Sequence, residues 1–320
     1  MGCSYRNEKS SRCLRKRRRR SGLIKTGNSP YLNIETIRKR KFKVVLDCVN
    51  GAGATIIPKL LKEFGCQVIG LNTELTGVFA HEPEPIPQNL VELAVAVKKE
   101  KADLGLAVDP DADRLAMISN EGNPLGEEYT LALAVKFVLS KKLGYVVVNL
   151  STSRVIDDII QYYNVLLFKT KVGEINVSQR MQEVEAIIGG EGNGGVILPE
   201  VHPGRDAATG VALILQFLAE SGGTLSQLKQ SLPQYYILKD KEDIKNIDPD
   251  KVIEHFSEKY SDEQLDLTDG LRIDRADSWI HLRKSNTEPI VRIIVESRTP
   301  EISWRILQEV QEEIQKLSKS

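Results

Sequence analysis

Three aspartates alternate in DPDADR, and an arginine follows the third: Asp109, Asp111, Asp113 and Arg114. Apolar runs of strand length flank them, Leu104 to Val108 and Leu115 to Ile118, which predicts a tight connection between two strands. Pro110 fixes one backbone dihedral there and removes a donor. On such a loop alternate side chains converge, and three converging carboxylates repel unless a cation neutralises them or one keeps a proton. A hard divalent ion meets that need. A calcium EF-hand loop would require glycine at its sixth position and glutamate at its twelfth, between helices; here those positions are Arg114 and Asn120, between strands. Magnesium in phosphoryl chemistry, with Arg114 set to meet a phosphate, is the expected use. The bland alternative is a solvated acidic turn.

Two more stretches carry chemistry. GGEGNGGVILPEVHPGRDA, residues 189 to 207, sets five glycines around Glu191 and Asn193 and then supplies His202, Arg205 and Asp206. Glycines admit close backbone approach, and a carboxylate beside an amide can chelate neighbouring sugar hydroxyls; otherwise the stretch is a floppy hairpin. RKSNTEP, residues 283 to 289, puts Arg283, Ser285, Asn286 and Thr287 on a turn between strands, with Arg292 following. Hydroxyls, turn amides and two guanidiniums suit a phosphate monoester, against the alternative of a well-capped turn with a solvated arginine.

The elements that must position these residues follow from patterning. From Lys41 onward, strand and helix signals alternate, implying a largely parallel sheet. The pattern restarts at GYVVVNLSTSRVIDDIIQYYN, with GEEYTLALAVKFVLSKKLG expected to close the first unit and a boundary near Gly144. After Pro233 come acidic helical stretches and two clear strands, DSWIHLRKS and PIVRIIVES. The expected fold class is α/β: two consecutive mixed α/β domains, residues 32–144 and 145–235, then a smaller α+β C-terminal domain, 236–320, all behind a basic tail, 1–31. NGAGAT, residues 50 to 55, lacks the full dinucleotide-binding spacing and reads as a tight strand-to-helix turn.

Composition narrows the class. The chain of 320 residues is 41% hydrophobic and 28% charged, ordinary for a globular protein, and no apolar run approaches a membrane span. Cys3, Cys13, Cys48 and Cys66 show no zinc spacing and suit a reducing compartment, so a cytoplasmic location is expected. The formal net charge of zero hides an asymmetry: residues 1 to 43 hold fifteen Lys/Arg against two acidic residues. LRKRRRR, residues 14 to 20, could bind nucleic acid or anionic lipid. That reading ranks last, because the remaining chain shows no basic stripe. MGCS suggests acylation, but Arg6 stands where the motif wants Ser or Thr.

DPDADR, GGEGNGG and RKSNTEP, in that order and at these separations, resemble the α-D-phosphohexomutases, which comprise phosphoglucomutase, phosphomannomutase and phosphoglucosamine mutase. The resemblance runs from about Leu32 to the C-terminus and implies domains two, three and four of a four-domain fold around one cleft. It implies that Asp109, Asp111 and Asp113 bind Mg2+, and that Arg114 orients the phosphoryl group. Lys171, in KTKVGE, matches a basic position near the reacting oxygens. Glu191 and Asn193 would read sugar hydroxyls, and Arg283, Ser285, Asn286, Thr287 and Arg292 would hold the non-reacting phosphate. The implied reaction is transfer of phosphate between the 1- and 6-positions of a glucosamine, mannose or glucose phosphate through a bisphosphate.

Two departures shape the expectation. Asn193 and Gly195 stand where relatives with a GE-S-GH loop carry serine and histidine, so the pattern is similar to that of bacterial phosphoglucosamine mutases and phosphomannomutases. The family's phosphoserine lies in a T-x-S-H-N-P-type loop of the first domain, and nothing like it occurs here; Ser29, in TGNSP, precedes a proline without a histidine. The expected protein is a copy lacking that domain, with a non-catalytic hexose-phosphate binder or one chain of a split mutase, completed by a partner chain, as alternatives.

Overall fold

The computed structural model describes residues 29–244, 247–285 and 288–318. The arginine-rich tail, Asn286 and Thr287 lie outside them. Helix α1 (Ile34–Arg40) is capped by Asn33, whose side chain accepts from the Thr36 amide. Strands β1 (Lys43–Asp47), β2 (Gln67–Leu71), β3 (Leu104–Val108) and β4 (Leu115–Ser119) form a sheet in the order β2-β1-β3-β4. β1 is parallel to β2 and β3, whereas β4 returns antiparallel along β3. β3 and β4 are buried throughout, because helices cover both faces. Leu104, Leu106 and Met117 pack on the side of α2 (Gly53–Glu63), while Ala107, Ala116 and Ile118 pack against α3 (Val91–Glu100). That accounts for continuous apolar runs in place of alternation.

The second unit repeats this topology. Strands β5 (Val146–Asn149), β6 (Leu167–Thr170), β7 (Ile188–Glu191) and β8 (Gly195–Ile197) lie in the order β6-β5-β7-β8, again with an antiparallel final hairpin. Its helices are α4 (Glu128–Lys141), α5 (Val155–Tyr163), α6 (Glu174–Glu183), α7 (Ala207–Ser221) and α8 (Leu225–Gln230). Placing α4 in the first unit needs correction: it packs on α5, α7 and β7. The seam therefore falls in the turn around Gly122–Gly126 and not near Gly144. α4 is buried from Glu128 to Val135, and an apolar helix without a polar face carries no sign of which sheet it serves.

The third unit is an antiparallel sheet of β9 (Tyr236–Asp243), β10 (Gln264–Asp266), β11 (Leu271–Asp274), β12 (Ser278–Lys284) and β13 (Ile290–Ser297), ordered β10-β11-β12-β13-β9. Helices α9 (Pro249–Lys259) and α10 (Pro300–Leu317) cover one face, where Phe256, Ile306 and Val310 meet Ile280, Leu282, Val291 and Ile293. Of the acidic helical stretches read after Pro233, the later one is α9, whereas the first part is instead β9. That strand sits at a sheet edge and tolerates charge on both faces.

The other face of this sheet is polar and docks on the second unit through the loop after β5. The Arg154 amide donates to Glu296 Oε1 at 2.9 Å, and its guanidinium reaches Asp274 Oδ1 at 3.1 Å and the Ala276 carbonyl at 2.9 Å. Buried Arg272, stacked 4.2 Å over the Trp279 ring, donates to the Leu150 carbonyl. Burial pushes the His281 pKa down to about 4, keeping the ring neutral. Its Nε2 faces the Asp269 carbonyl at 2.7 Å, which can only accept, so Nδ1 accepts from Ser151 Oγ at 3.0 Å. Among the described residues no helix is long and apolar enough to cross a membrane.

Candidate active-site cleft

The first two chemistry-bearing loops occupy equivalent places. Each is the tip of the antiparallel hairpin closing its sheet: Asp109–Arg114 joins β3 to β4, and Gly192–Gly194 joins β7 to β8. The tips are bonded together. The Leu115 amide donates to the Gly194 carbonyl at 3.0 Å, and the Ala207 amide to the Ala112 carbonyl at 3.1 Å. Gly194 holds φ 91°, and a Cβ there would sit 2.4 Å from the Leu115 carbonyl oxygen. Gly51, from NGAGAT, is likewise required: a Cβ would fall 2.6 Å from the Pro110 carbonyl oxygen, which instead accepts from the Ala52 amide. The NGAGAT turn therefore braces the aspartate loop.

One carboxylate oxygen from each of Asp109, Asp111 and Asp113 lies within 4.8 Å of the others, so the trio could hold a metal ion. Asp109 is buried, with Oδ1 accepting from the Asp113 and Arg114 amides at 3.0 Å each and Oδ2 from Arg114 Nε at 2.7 Å. Burial works to raise its pKa, but the hydrogen bonds from Arg114 outweigh it and hold the carboxyl below its ordinary value. Asp113 goes the other way. Burial, reinforced by the charge of Asp109, pushes it up to about 6, and its Oδ1 has no hydrogen-bond partner among the described residues. An oxygen so placed, in a trio carrying more negative charge than its surroundings offset, fits a hard cation with oxygen ligands.

Arg205 joins the two hairpins. Its Nη2 meets Asp113 Oδ2 at 2.5 Å, its Nη1 meets Glu191 Oε2 at 2.7 Å, and its backbone amide donates to Glu174 Oε1 at 2.8 Å. Glu191 is almost fully enclosed, and its Oε1 accepts from Asn149 Nδ2 and the Gly173 amide at 2.8 Å each. Asn193 Oδ1 accepts from the Gly195 amide at 3.2 Å, and the residue lines the cleft. Of the residues noted in that stretch, His202 is exposed and Asp206 caps α7.

The third unit contributes Arg283 and Arg292, directly paired across β12 and β13. Arg283 Nε lies 2.8 Å from Asp269 Oδ2, which also accepts from the Val172 amide of the second unit. Ser285 stands at the turn, where its amide donates to the Ile290 carbonyl and its Oγ accepts from the Glu288 amide. A cavity of about 700 Å³ brings Arg114, Glu191, Asn193, Arg283 and Arg292 together from all three units. Lys171 is exposed and does not line it, although its neighbours Val172 and Gly173 do. Lys239 and Lys241 of β9 also line it, and neither was singled out in the sequence. The Lys239 ammonium pairs with Glu127 at 2.5 Å and Glu128 at 3.0 Å.

Comparison with known proteins agrees with this geometry. Residues 24–122, 126–236 and 238–313 match, in turn, the phosphoglucomutase/phosphomannomutase alpha/beta/alpha domain II, alpha/beta/alpha domain III and C-terminal domain. A probable phosphoglucosamine mutase of Methanopyrus kandleri is 37% identical over 81% of this chain and 58% of its own length. A phosphoglucomutase/phosphomannomutase of Thermococcus kodakarensis is 38% identical over 84% of this chain and 60% of its own. The chain thus spans about three fifths of these relatives. A crystal structure of a phosphoglucomutase/phosphomannomutase family protein from Burkholderia thailandensis superposes with a TM-score of 0.77 at 26% identity, covering 89% of this chain and 64% of that one. Motifs, repeated topology and matched domains agree, and the chain belongs to the phosphoglucomutase/phosphomannomutase family.

Proposed function

We propose that the cleft binds a hexose phosphate and supplies the metal, sugar and phosphate sites for transfer of phosphate between the 1- and 6-positions of the sugar. The observation that carries this is the single cavity lined jointly by Arg114, Glu191, Asn193, Arg283 and Arg292. Arg283, Arg292, Ser285 and the adjoining Asn286 and Thr287 grip the phosphate that is not reacting. Glu191 and Asn193 read sugar hydroxyls, with Glu191 exchanging part of its internal bonding for the ligand. Arg114 faces the transferring phosphoryl group, and Lys171 reaches the same oxygens once its exposed side chain swings inward. Asp109, Asp111 and Asp113 would hold Mg2+, which when bound offsets negative charge on that group.

In the transfer, a sugar hydroxyl oxygen bonds to the phosphorus of a phosphoserine as the serine oxygen leaves. The resulting bisphosphate turns over in the cleft, and its other phosphate returns to serine. The anion site can grip either end, which is what a turned intermediate requires. No T-x-S-H-N-P-type loop occurs among these residues, so the phosphoserine reaches the cleft from elsewhere, in a split mutase from a partner chain. The hexose is a glucosamine, mannose or glucose phosphate.

Calorimetric titration with these three hexose 6-phosphates in the presence of magnesium tests the reading. Binding by the unaltered chain and a loss of about tenfold or more in Arg283→Ala is the expected result, since a guanidinium–phosphate contact is charge-assisted and often bidentate. Equal affinity in both would refute it. Isomerisation that appears only on mixing with a serine-loop domain would identify a split enzyme, and binding with no isomerisation under any mixing a sensor.

A further inference from the structure

Strand register places a third cation beside the two arginines. Lys241 of β9 pairs with Arg292 of β13, which pairs in turn with Arg283 of β12. Directly paired residues project to the same face of a sheet with Cα atoms about 5 Å apart. The alternation along β9 agrees: Leu238 packs into the core, and Asp240 and Glu242 bond to Gln311 and Gln315 of α10, so Lys239 and Lys241 face the cleft. All three cations line the same cavity.

Like charges directly opposite one another destabilise a sheet, so such a row requires compensation. Arg283 has the Asp269 carboxylate at 2.8 Å, and Lys239, one row along, has Glu127 and Glu128. Among the described residues, neither Lys241 nor Arg292 has an acidic partner. Two positive charges therefore stand uncompensated, and a phosphate monoester carries about −1.5 to −2 at pH 7.

We propose that Lys241 is the third cation of the phosphate site and makes it select a dianionic ester over a monoanionic ester of the same shape. This rests on the reading of the cleft as a hexose-phosphate site. Arg292 and Arg283, the latter shared with Asp269, suffice for one negative charge, and Lys241 answers the second. A lysine that served only to blunt an edge strand against pairing would have no part in anion choice.

Glucose 6-phosphate and glucose 6-sulfate, titrated calorimetrically at pH 8, separate these roles, because there the phosphate is a dianion and the sulfate a monoanion. Lys241 is exposed, so Lys241→Gln leaves the core intact. The expected result is a loss of about tenfold for the phosphate with little change for the sulfate, and retention of the preference in Lys241→Arg. An unchanged phosphate-to-sulfate ratio in Lys241→Gln, with phosphate binding still lost in Arg283→Ala, would overturn the proposal and leave the cleft assignment standing. Failure of the unaltered chain to bind either ester would overturn both.

Discussion

Arg205 is the residue on which the two hairpin tips depend. Its guanidinium is the only cation within hydrogen-bonding reach of both Asp113 and Glu191 among the described residues, and Glu191 is 4% exposed. Removing one partner of a buried pair leaves an uncompensated charge, so Arg205→Ala should lower stability by about 3 kcal/mol in denaturant unfolding, the partial exposure of Arg205 moderating the larger values known for fully buried pairs. A change under about 0.5 kcal/mol would show that the pairs are loose. This role was not legible in the sequence, although Arg205 stood within a quoted motif, because its partner Asp113 lies 92 residues away. Asp109, Asp111, Asp113 and Arg114 were legible because their chemistry is contiguous and their flanking strands announce a hairpin.

At the scale of elements, the contact of β9 with the start of α4 makes stability depend on pH. Glu128 is buried, and burial raises its pKa to about 7 against 4.5, the charge of Lys239 offsetting only part of that. Between those values the folded state holds the proton that the unfolded chain releases. The contribution of Glu128 to stability should therefore fall as pH rises from about 4.5 to about 7 and then level off, while His281, held neutral in the fold, contributes in the opposite sense between about 4 and its ordinary 6.5. The Lys239 pKa is raised by Glu128 and Glu127 against the opposing effect of burial, and this contributes only above its ordinary 10.5, outside that window. Thermal melts from pH 5 to pH 8 should show that decline as the difference between the unaltered chain and Glu128→Gln, in which the His281 contribution cancels. A slope unchanged in the variant would place the titration elsewhere. Both elements were also hard to read in advance. The helix α4 is buried on every side, and β9 interleaves lysines for the cleft with acids for α10, a pattern that imitates an acidic helix.

For the whole molecule, the two α/β units could be inferred from patterning because strands such as β1, β3, β4 and β5 announce themselves by buried apolar runs. Their shared topology, with both chemistry loops at matching hairpin tips, emerges only from pairing order. The assembly of one cleft from three units likewise depends on long-range contacts: Arg205 between the hairpins, Arg154 and Arg272 at the third unit, and Asp269 bridging Arg283 to the Val172 amide. Such a cleft requires that one hexose phosphate engage all three units at once. Backbone amide hydrogen exchange, with and without a saturating hexose 6-phosphate and magnesium, measures this directly. A shared cleft should give added protection in three separate segments, around Asp109–Arg114, Gly192–Gly195 and Arg283–Arg292. Protection confined to the last of these would mean that the third unit binds phosphate alone and would contradict a shared cleft.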